Sequence, residues 1–527
     1  MAVKKIDART LKAWLHDGQE AALLDAREEV PFDARHLLMA ACVPLGRLEI
    51  IVGDSVPRRA VRVVWCDDGE GLAERAATRM AGLGYTDVSV LTGGIAAWEA
   101  AGFRIYSGVH VPSKAFAEVV EHEAGTPWIT AETLHEMIES GADMALFDTR
   151  SYEEYHGNSI PTAISVPGAE LVYRFADMVP NPNTTVVVNC GGRTRSIIGA
   201  QALINAGVPN KVVSLQNGTQ AWHLSGYQVL KGATARPPAV SEAGHTAARA
   251  AAARIAQRFG VRTIDQATLA AWRAEAATRA LFVFDVRTPE EYAAGHPPGV
   301  KNVPGGQLVQ ETDRHAAIWG GRVVLVDDDG VRAIVTAHWM KQMGWDTVAI
   351  TEDMRGGETG PHSPPALGLD GVTVPSIDVA TLVRREREVT VVDLDWSRAY
   401  FDGHIPGAWY AIRARLAEAF TALPKTDAIA FTSPDGTLAR LAAAEWNGAA
   451  PAPVLALAGG TSAWVTAGHE LERGATRMAS AADDMRLRAR DQAGNVEDAM
   501  RAYLSWEIEL VNQMATDDDH RFQVMAC

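Results

Sequence analysis

Residues 190–196 read Cys-Gly-Gly-Arg-Thr-Arg-Ser, so a nucleophile, two glycines and two cations share one short segment. The segment follows the apolar run Val186-Val187-Val188-Asn189. It precedes a helix pattern that starts at Ser196, runs through Ile197, Ile198, Leu203 and Ile204, and ends near Gly207. Successive backbone N–H groups in a tight loop can form an anion-binding nest, and Gly191 and Gly192 would permit the dihedrals it needs. The helix would point its positive end at the loop. Arg193 and Arg195 would add forked cations suited to sulfonate-like oxygens. Such surroundings lower a cysteine pKa to roughly 3.5–7.5, so Cys190 is expected to be largely thiolate. The bland alternative is a buried cysteine beside a Gly-rich turn, which two arginines within five residues disfavour.

The remaining composition sets limits. At 527 residues the chain should hold several domains. A net charge of −16 argues against nucleic acid or an anionic membrane surface as a partner. The cysteines Cys42, Cys66, Cys190 and Cys527 show neither a disulfide framework nor CxxC metal spacing. No apolar stretch reaches spanning length, and Met-Ala-Val-Lys-Lys-Ile-Asp has no apolar leader core, so a reducing cytoplasm is the expected compartment.

The elements that position the loop recur along the chain. Leu23-Leu24-Asp25-Ala26-Arg27 returns as Leu146-Phe147-Asp148-Thr149-Arg150, as Val283-Phe284-Asp285-Val286-Arg287 and, weakened, as Val391-Val392-Asp393-Leu394-Asp395. Downstream come His36 with Pro44, Ile160-Pro161 with Val166-Pro167, Gly295-His296-Pro297-Pro298-Gly299, and Gly403-His404-Ile405-Pro406-Gly407. Each unit closes on a Gly turn: Gly93-Gly94 with Trp98, Asn217-Gly218 with Trp222, Arg355-Gly356-Gly357, and Gly459-Gly460 with Trp464. Short apolar strands alternating with helices predict α/β domains, each a parallel sheet covered on both faces.

These motifs, in this order, resemble the rhodanese (sulfurtransferase) superfamily. The resemblance implies four tandem domains of open five-stranded parallel sheets, with the loop at the carboxyl end of a strand. The expected domains are residues 1–106, 128–232, 262–360 and 376–474, followed by a helical tail over 475–527. In the tail, Tyr503, Trp506, Ile508, Leu510 and Val511 recur at helical spacing and are expected to pack on a domain or across a homodimer.

Aligning the loops places Cys190 against Cys66, Asp327 and Thr432. Cys66 sits among three carboxylates that would raise its pKa and repel an anion. Asp327 cannot carry sulfane sulfur, and Thr432 is too weak a nucleophile. The run Asp327-Asp328-Asp329 lacks a supporting metal-ligand pattern. Catalysis is therefore expected in the second domain alone. Cys190 is the nucleophile there, and Gly191, Gly192, Arg193, Thr194, Arg195 and Ser196 form the substrate loop. Asp148 and Arg150 are expected to support that loop, although their recurrence reads chiefly as a shared strand-end turn. Asn158-Ser159-Ile160-Pro161-Thr162 replaces Gly-His-Ile-Pro-Gly here, so no histidine role carries over, and His156 is read as surface or packing.

The expected reaction moves sulfur from a small anionic donor such as thiosulfate, through a Cys190 persulfide, to a thiol or cyanide acceptor. It requires no metal or organic cofactor. The alternatives are a non-catalytic scaffold or sulfur sensor, and a Cys-loop phosphatase. The phosphatase is disfavoured because Arg195 stands at Cys-x4-Arg, one residue short of Cys-x5-Arg.

Overall fold

The computed structural model describes residues 3–491 and 494–525, so Cys527 and the far end of the tail lie outside the described residues. Four five-stranded sheets span residues 4–91, 128–215, 262–349 and 376–457. In each, the strands lie side by side in the order first, fifth, fourth, second, third. The strand pairings are parallel, which forces helical crossovers between consecutive strands. The α/β architecture expected from the repeats is thus present in every repeat.

The chain divides into two compact units. One comprises Met1–Leu11, Leu23–Val109 and Pro364–Arg486, and so holds the first and fourth sheets. In it, Arg413 binds Glu49 at 2.7 and 3.0 Å, and the Arg47 guanidinium stacks 3.6 Å over Trp396. The other comprises Lys12–Ala22, His110–Ser363 and Leu487–Cys527, and holds the second and third sheets and the tail. In it, the helix Glu242–Phe259 packs on the helices Glu170–Met178 and Val331–Gln342. A buried ion pair joins Arg332 to Glu170 at 2.8 Å.

The Asp-x-Arg motif has the same job in the first three sheets. Arg150 binds Asp148 through two nitrogens, at 2.9 and 2.6 Å, and donates to the Asn158 carbonyl at 2.6 Å. Arg27 does this with Asp25 and the Arg35 carbonyl, and Arg287 with Asp285 and the Gly295 carbonyl. The fork ties the strand end to the end of the next short helix. Among the described residues, no helix is long and apolar enough to cross a membrane.

Candidate active site

The strand Thr185–Asn189 is the middle strand of the second sheet, and all but its first residue are buried. Asn189 pairs with Asp148, and Val188 with Ser214. The chain leaves this strand at Cys190 and enters the helix Thr194–Asn205, with Arg193 as its N-cap. Ligands bind at this end of an open α/β sheet. The neighbouring turn, Asn217-Gly218, presses against the loop. A Cβ on Gly218 would lie 2.3 Å from the Cys190 carbonyl oxygen, so only glycine fits there. Thr219 N–H donates to the Cys190 carbonyl (2.9 Å) and Gln220 N–H to the Gly191 carbonyl (3.1 Å).

With those carbonyls occupied, the loop's N–H groups remain. Among the described residues, the N–H groups of Gly191, Gly192, Arg193, Thr194 and Arg195 have no hydrogen-bond acceptor. Five successive donors at a helix N-terminus form a cup beside the cysteine whose chemistry suits an anion. Neither glycine of the loop has a positive φ. Gly192 is tightly surrounded instead: a Cβ there would meet Glu507 Oε2 at 3.0 Å and Tyr503 Cε1 at 3.2 Å.

Cys190 is 2% exposed. Its thiol donates to Ser196 Oγ at 3.6 Å, and that hydroxyl donates to the Arg193 carbonyl at 2.8 Å. Burial pushes the Cys190 pKa up. The Arg195 charge and the Ser196 hydrogen bond oppose the rise, and Glu507 adds to it. Burial thus works against the largely ionised thiolate expected from the sequence.

Both arginines are already engaged by carboxylates. Arg195 binds Glu154 at 2.7 and 3.2 Å and Gln307 Oε1 at 3.2 Å. Arg193 grips Glu118 at 2.7–2.9 Å, reaches Glu121, and donates to Asn217 Oδ1 at 3.2 Å. A buried guanidinium needs a carboxylate partner, and the helix Val111–Ala124 supplies two of them to Arg193. Burial pushes Glu118 up to about 7 even with Arg193 beside it, while Arg195 holds Glu154 far below the usual carboxylate range. The cup is therefore built from backbone N–H groups, with both arginine side chains already paired. Thr194 Oγ1 donates to Glu507 Oε1 at 2.8 Å. Asp148 and Arg150 lie beneath the loop: Asn189 Nδ2 donates to Asp148 Oδ2 at 3.4 Å, and a Cβ on Gly191 would be 3.7 Å from Arg150 Cδ.

A family model described as the rhodanese-like domain matches residues 7–101, 130–225 and 265–353, together more than half of the chain. The chain belongs to the rhodanese family. A thiosulfate sulfurtransferase from Pseudomonas aeruginosa, known from a crystal structure, is 43% identical with a TM-score of 0.94, covering 99% of this chain and all of that one. The Probable adenylyltransferase/sulfurtransferase MoeZ of Mycobacterium tuberculosis is 35% identical over 95 residues, 18% of this chain and 24% of that protein. The HTH-type transcriptional regulator Rv0324 of the same species is 32% identical over 105 residues, 20% of this chain and 45% of that protein. The chain thus spans a quarter to a half of the length of these two curated relatives.

Each rhodanese domain can now be read at its loop, and the sequence alignment shifts by one residue in two of them. The carbonyl that accepts from the strand-end turn belongs to Asn189 in the second domain. It belongs to Cys66, Val326 and Thr432 in the others, with Ala26, Val286 and Leu394 as donors. The residue after each stands at the Cys190 position: Asp67, Asp327 and Ser433. Cys66 and Thr432 are thus the last residues of their strands, not loop nucleophiles. The cause is that both strands are buried to their ends, so no exposed residue marks where strand stops and loop begins.

Those three residues turn into their own cups. Asp67 accepts from the N–H groups of Gly69 (3.1 Å) and Ala73 (3.0 Å). Asp327 accepts from Gly330 (2.5 Å), Arg332 (2.8 Å) and Ala333 (3.1 Å). Ser433 Oγ accepts from Ala439 (3.2 Å). The carboxylates of Asp327, Asp328 and Asp329 lie close enough to hold a cation. They are otherwise engaged, however, with Asp328 on Arg332 and Asp329 facing His245.

The sequence reading missed Glu118, Glu121, Glu154 and Glu507. Glu154 had a signal, because it recurs as Glu291, which binds Arg332 as Glu154 binds Arg195. The tail helix Val496–Met514 buries Met500, Leu504, Glu507, Leu510 and Met514. Ile508, expected in the packed stripe, is 47% exposed. The helix packs in cis on Val111–Ala124.

Proposed function

We propose that the second rhodanese domain transfers sulfane sulfur through Cys190. The carrying observation is the cup of five N–H groups without an acceptor around the one loop cysteine among the described residues. The Cys190 thiolate attacks the outer sulfur of thiosulfate. The S–S bond of the donor breaks, its electron pair leaves with sulfite, and Cys190 becomes a persulfide. The N–H groups of Gly191 to Arg195 stabilise the anionic end of the donor and the charge left on the departing group. Cyanide or a thiolate then attacks the outer persulfide sulfur and returns Cys190 to its thiolate. A reducing compartment such as the cytoplasm keeps this thiol available.

Thiosulfate alone should leave the intact protein one sulfur atom heavier, at Cys190, by mass spectrometry. Cys190→Ser should lose both the adduct and thiosulfate:cyanide turnover, while Cys66→Ser keeps most of each. Turnover retained by Cys190→Ser would overturn the assignment. An unmodified Cys190 combined with phosphoester hydrolysis would favour a phosphatase instead.

A further inference from the structure

The tail helix brings a carboxylate to the catalytic loop. Glu507 is 1% exposed. Its Oε1 accepts from Thr194 Oγ1 at 2.8 Å and Tyr503 Oη at 3.2 Å, whereas its Oε2 is buried with no hydrogen-bond partner among the described residues. That oxygen is the atom nearest to where a side chain on Gly192 would begin. A buried carboxylate oxygen without a partner is costly, and a ligand that donates to it recovers the loss.

We propose that Glu507 is a specificity-determining residue, a charge gate that penalises doubly negative donors and favours persulfides carrying a cationic or N–H group. This rests on Cys190 being the sulfur-carrying residue. The nearby arginines are each held by other carboxylates. Arg193 is taken by Glu118 and Glu121, and Arg195 by Glu154, which Arg488 also approaches at 3.4 Å. Arg150 is held by Asp148. Lys114 Nζ lies over the rings of Tyr503 and Trp506, 5.4 and 5.1 Å from their centroids. Glu507 also adds to the rise of the Cys190 pKa, as a carboxylate near the thiol would.

The test compares wild type, Glu507→Gln and Glu507→Asp as full-length protein. The donors are thiosulfate, a dianion, and the persulfide of cysteamine, which carries an ammonium. Glu507→Gln should raise kcat/KM for thiosulfate by roughly tenfold, mainly through KM, and lower it for cysteamine persulfide. Glu507→Asp, which keeps the charge, should retain the wild-type preference between the donors. In parallel, iodoacetamide labelling of Cys190 is followed against pH by mass spectrometry. Its midpoint should fall by about one unit in Glu507→Gln. An equal change for both donors, or an unmoved labelling midpoint, would overturn the gate. Loss of all sulfur transfer in wild type alongside a shifted midpoint would instead remove the catalytic reading and leave the charge effect standing.

Discussion

The second and third domains share a sheet order, an Asp-x-Arg fork and an arginine five residues beyond the loop position, Arg195 or Arg332. Even the arginine's partner is repeated, as Glu154 and Glu291. They differ in what occupies the backbone cup. In the third domain Asp327 folds back and takes three N–H groups. In the second, Cys190 cannot do so, and the donors stay available. The cup is thus a property of the fold, and the residue at its rim decides whether its N–H groups are satisfied from within the loop or left open.

The largest effect should come from converting one state into the other. Cys190→Asp should lose all thiosulfate turnover. Its carboxylate should accept the loop N–H groups, making the variant about 1.5–3 kcal/mol more stable than Cys190→Ser by denaturant unfolding. The reverse change, Asp327→Cys in a Cys190→Ser background, should give no turnover, because Asp328 and Asp329 flank the new thiol. Activity from that protein would break the comparison.

Next in size are the paired arginines. Arg332 is fully buried against Glu170, Glu291 and Asp328. Arg332→Ala strands three acids and should cost about 3–5 kcal/mol, while kcat/KM of the folded fraction stays near wild type. Arg195→Ala should lose stability and turnover together, since its charge also favours the Cys190 thiolate. Melting curves and thiosulfate kinetics on both variants test the distinction. Equal losses of turnover would mean that Arg195 acts only as a strut.

These pairs also mark what the sequence made legible. The four sheets could be read because apolar runs such as Val186–Val188 recur with their Asp-x-Arg turns. Cys190 stood out because its neighbours are chemically unusual. The one-residue shift at Cys66 and Thr432 was hidden because strands buried on both faces carry no alternation to fix where they end. The partners of Arg193 were hidden because Glu118 lies 75 residues away in the chain. Glu507, 313 residues from Thr194, was concealed among the apolar members of an amphipathic stripe.

A smaller effect should appear in the pH dependence of stability. Burial pushes Asp327 up to about 7, above an unfolded value of about 3.9. The folded protein therefore keeps this proton longer than the unfolded chain does. The stability it contributes is complete below about pH 4 and is lost as pH rises through 7. Asp327→Asn should flatten the melting-temperature profile between pH 4 and 7 relative to wild type. Parallel profiles would place the proton elsewhere, since Glu28, Glu118 and Asp393 are pushed up in the same way.

The smallest difference expected is between two buried thiols. Burial raises both Cys66 and Cys190, but their surroundings diverge. At Cys66, Asp25, Asp67 and Asp68 add to the rise and Arg27 opposes it, whereas at Cys190 Arg195 and Ser196 oppose it and Glu507 adds to it. Iodoacetamide at mildly alkaline pH should therefore modify Cys190 before Cys66, with half-buried Cys42 as the internal reference for access. Because neither thiol is open to solvent, the order depends on thiolate population more than on exposure. Cys66 reacting first would mean that the strand end in the first domain opens more readily than the Cys190 loop. The acidic residues around it would then not be what keeps that sulfur silent.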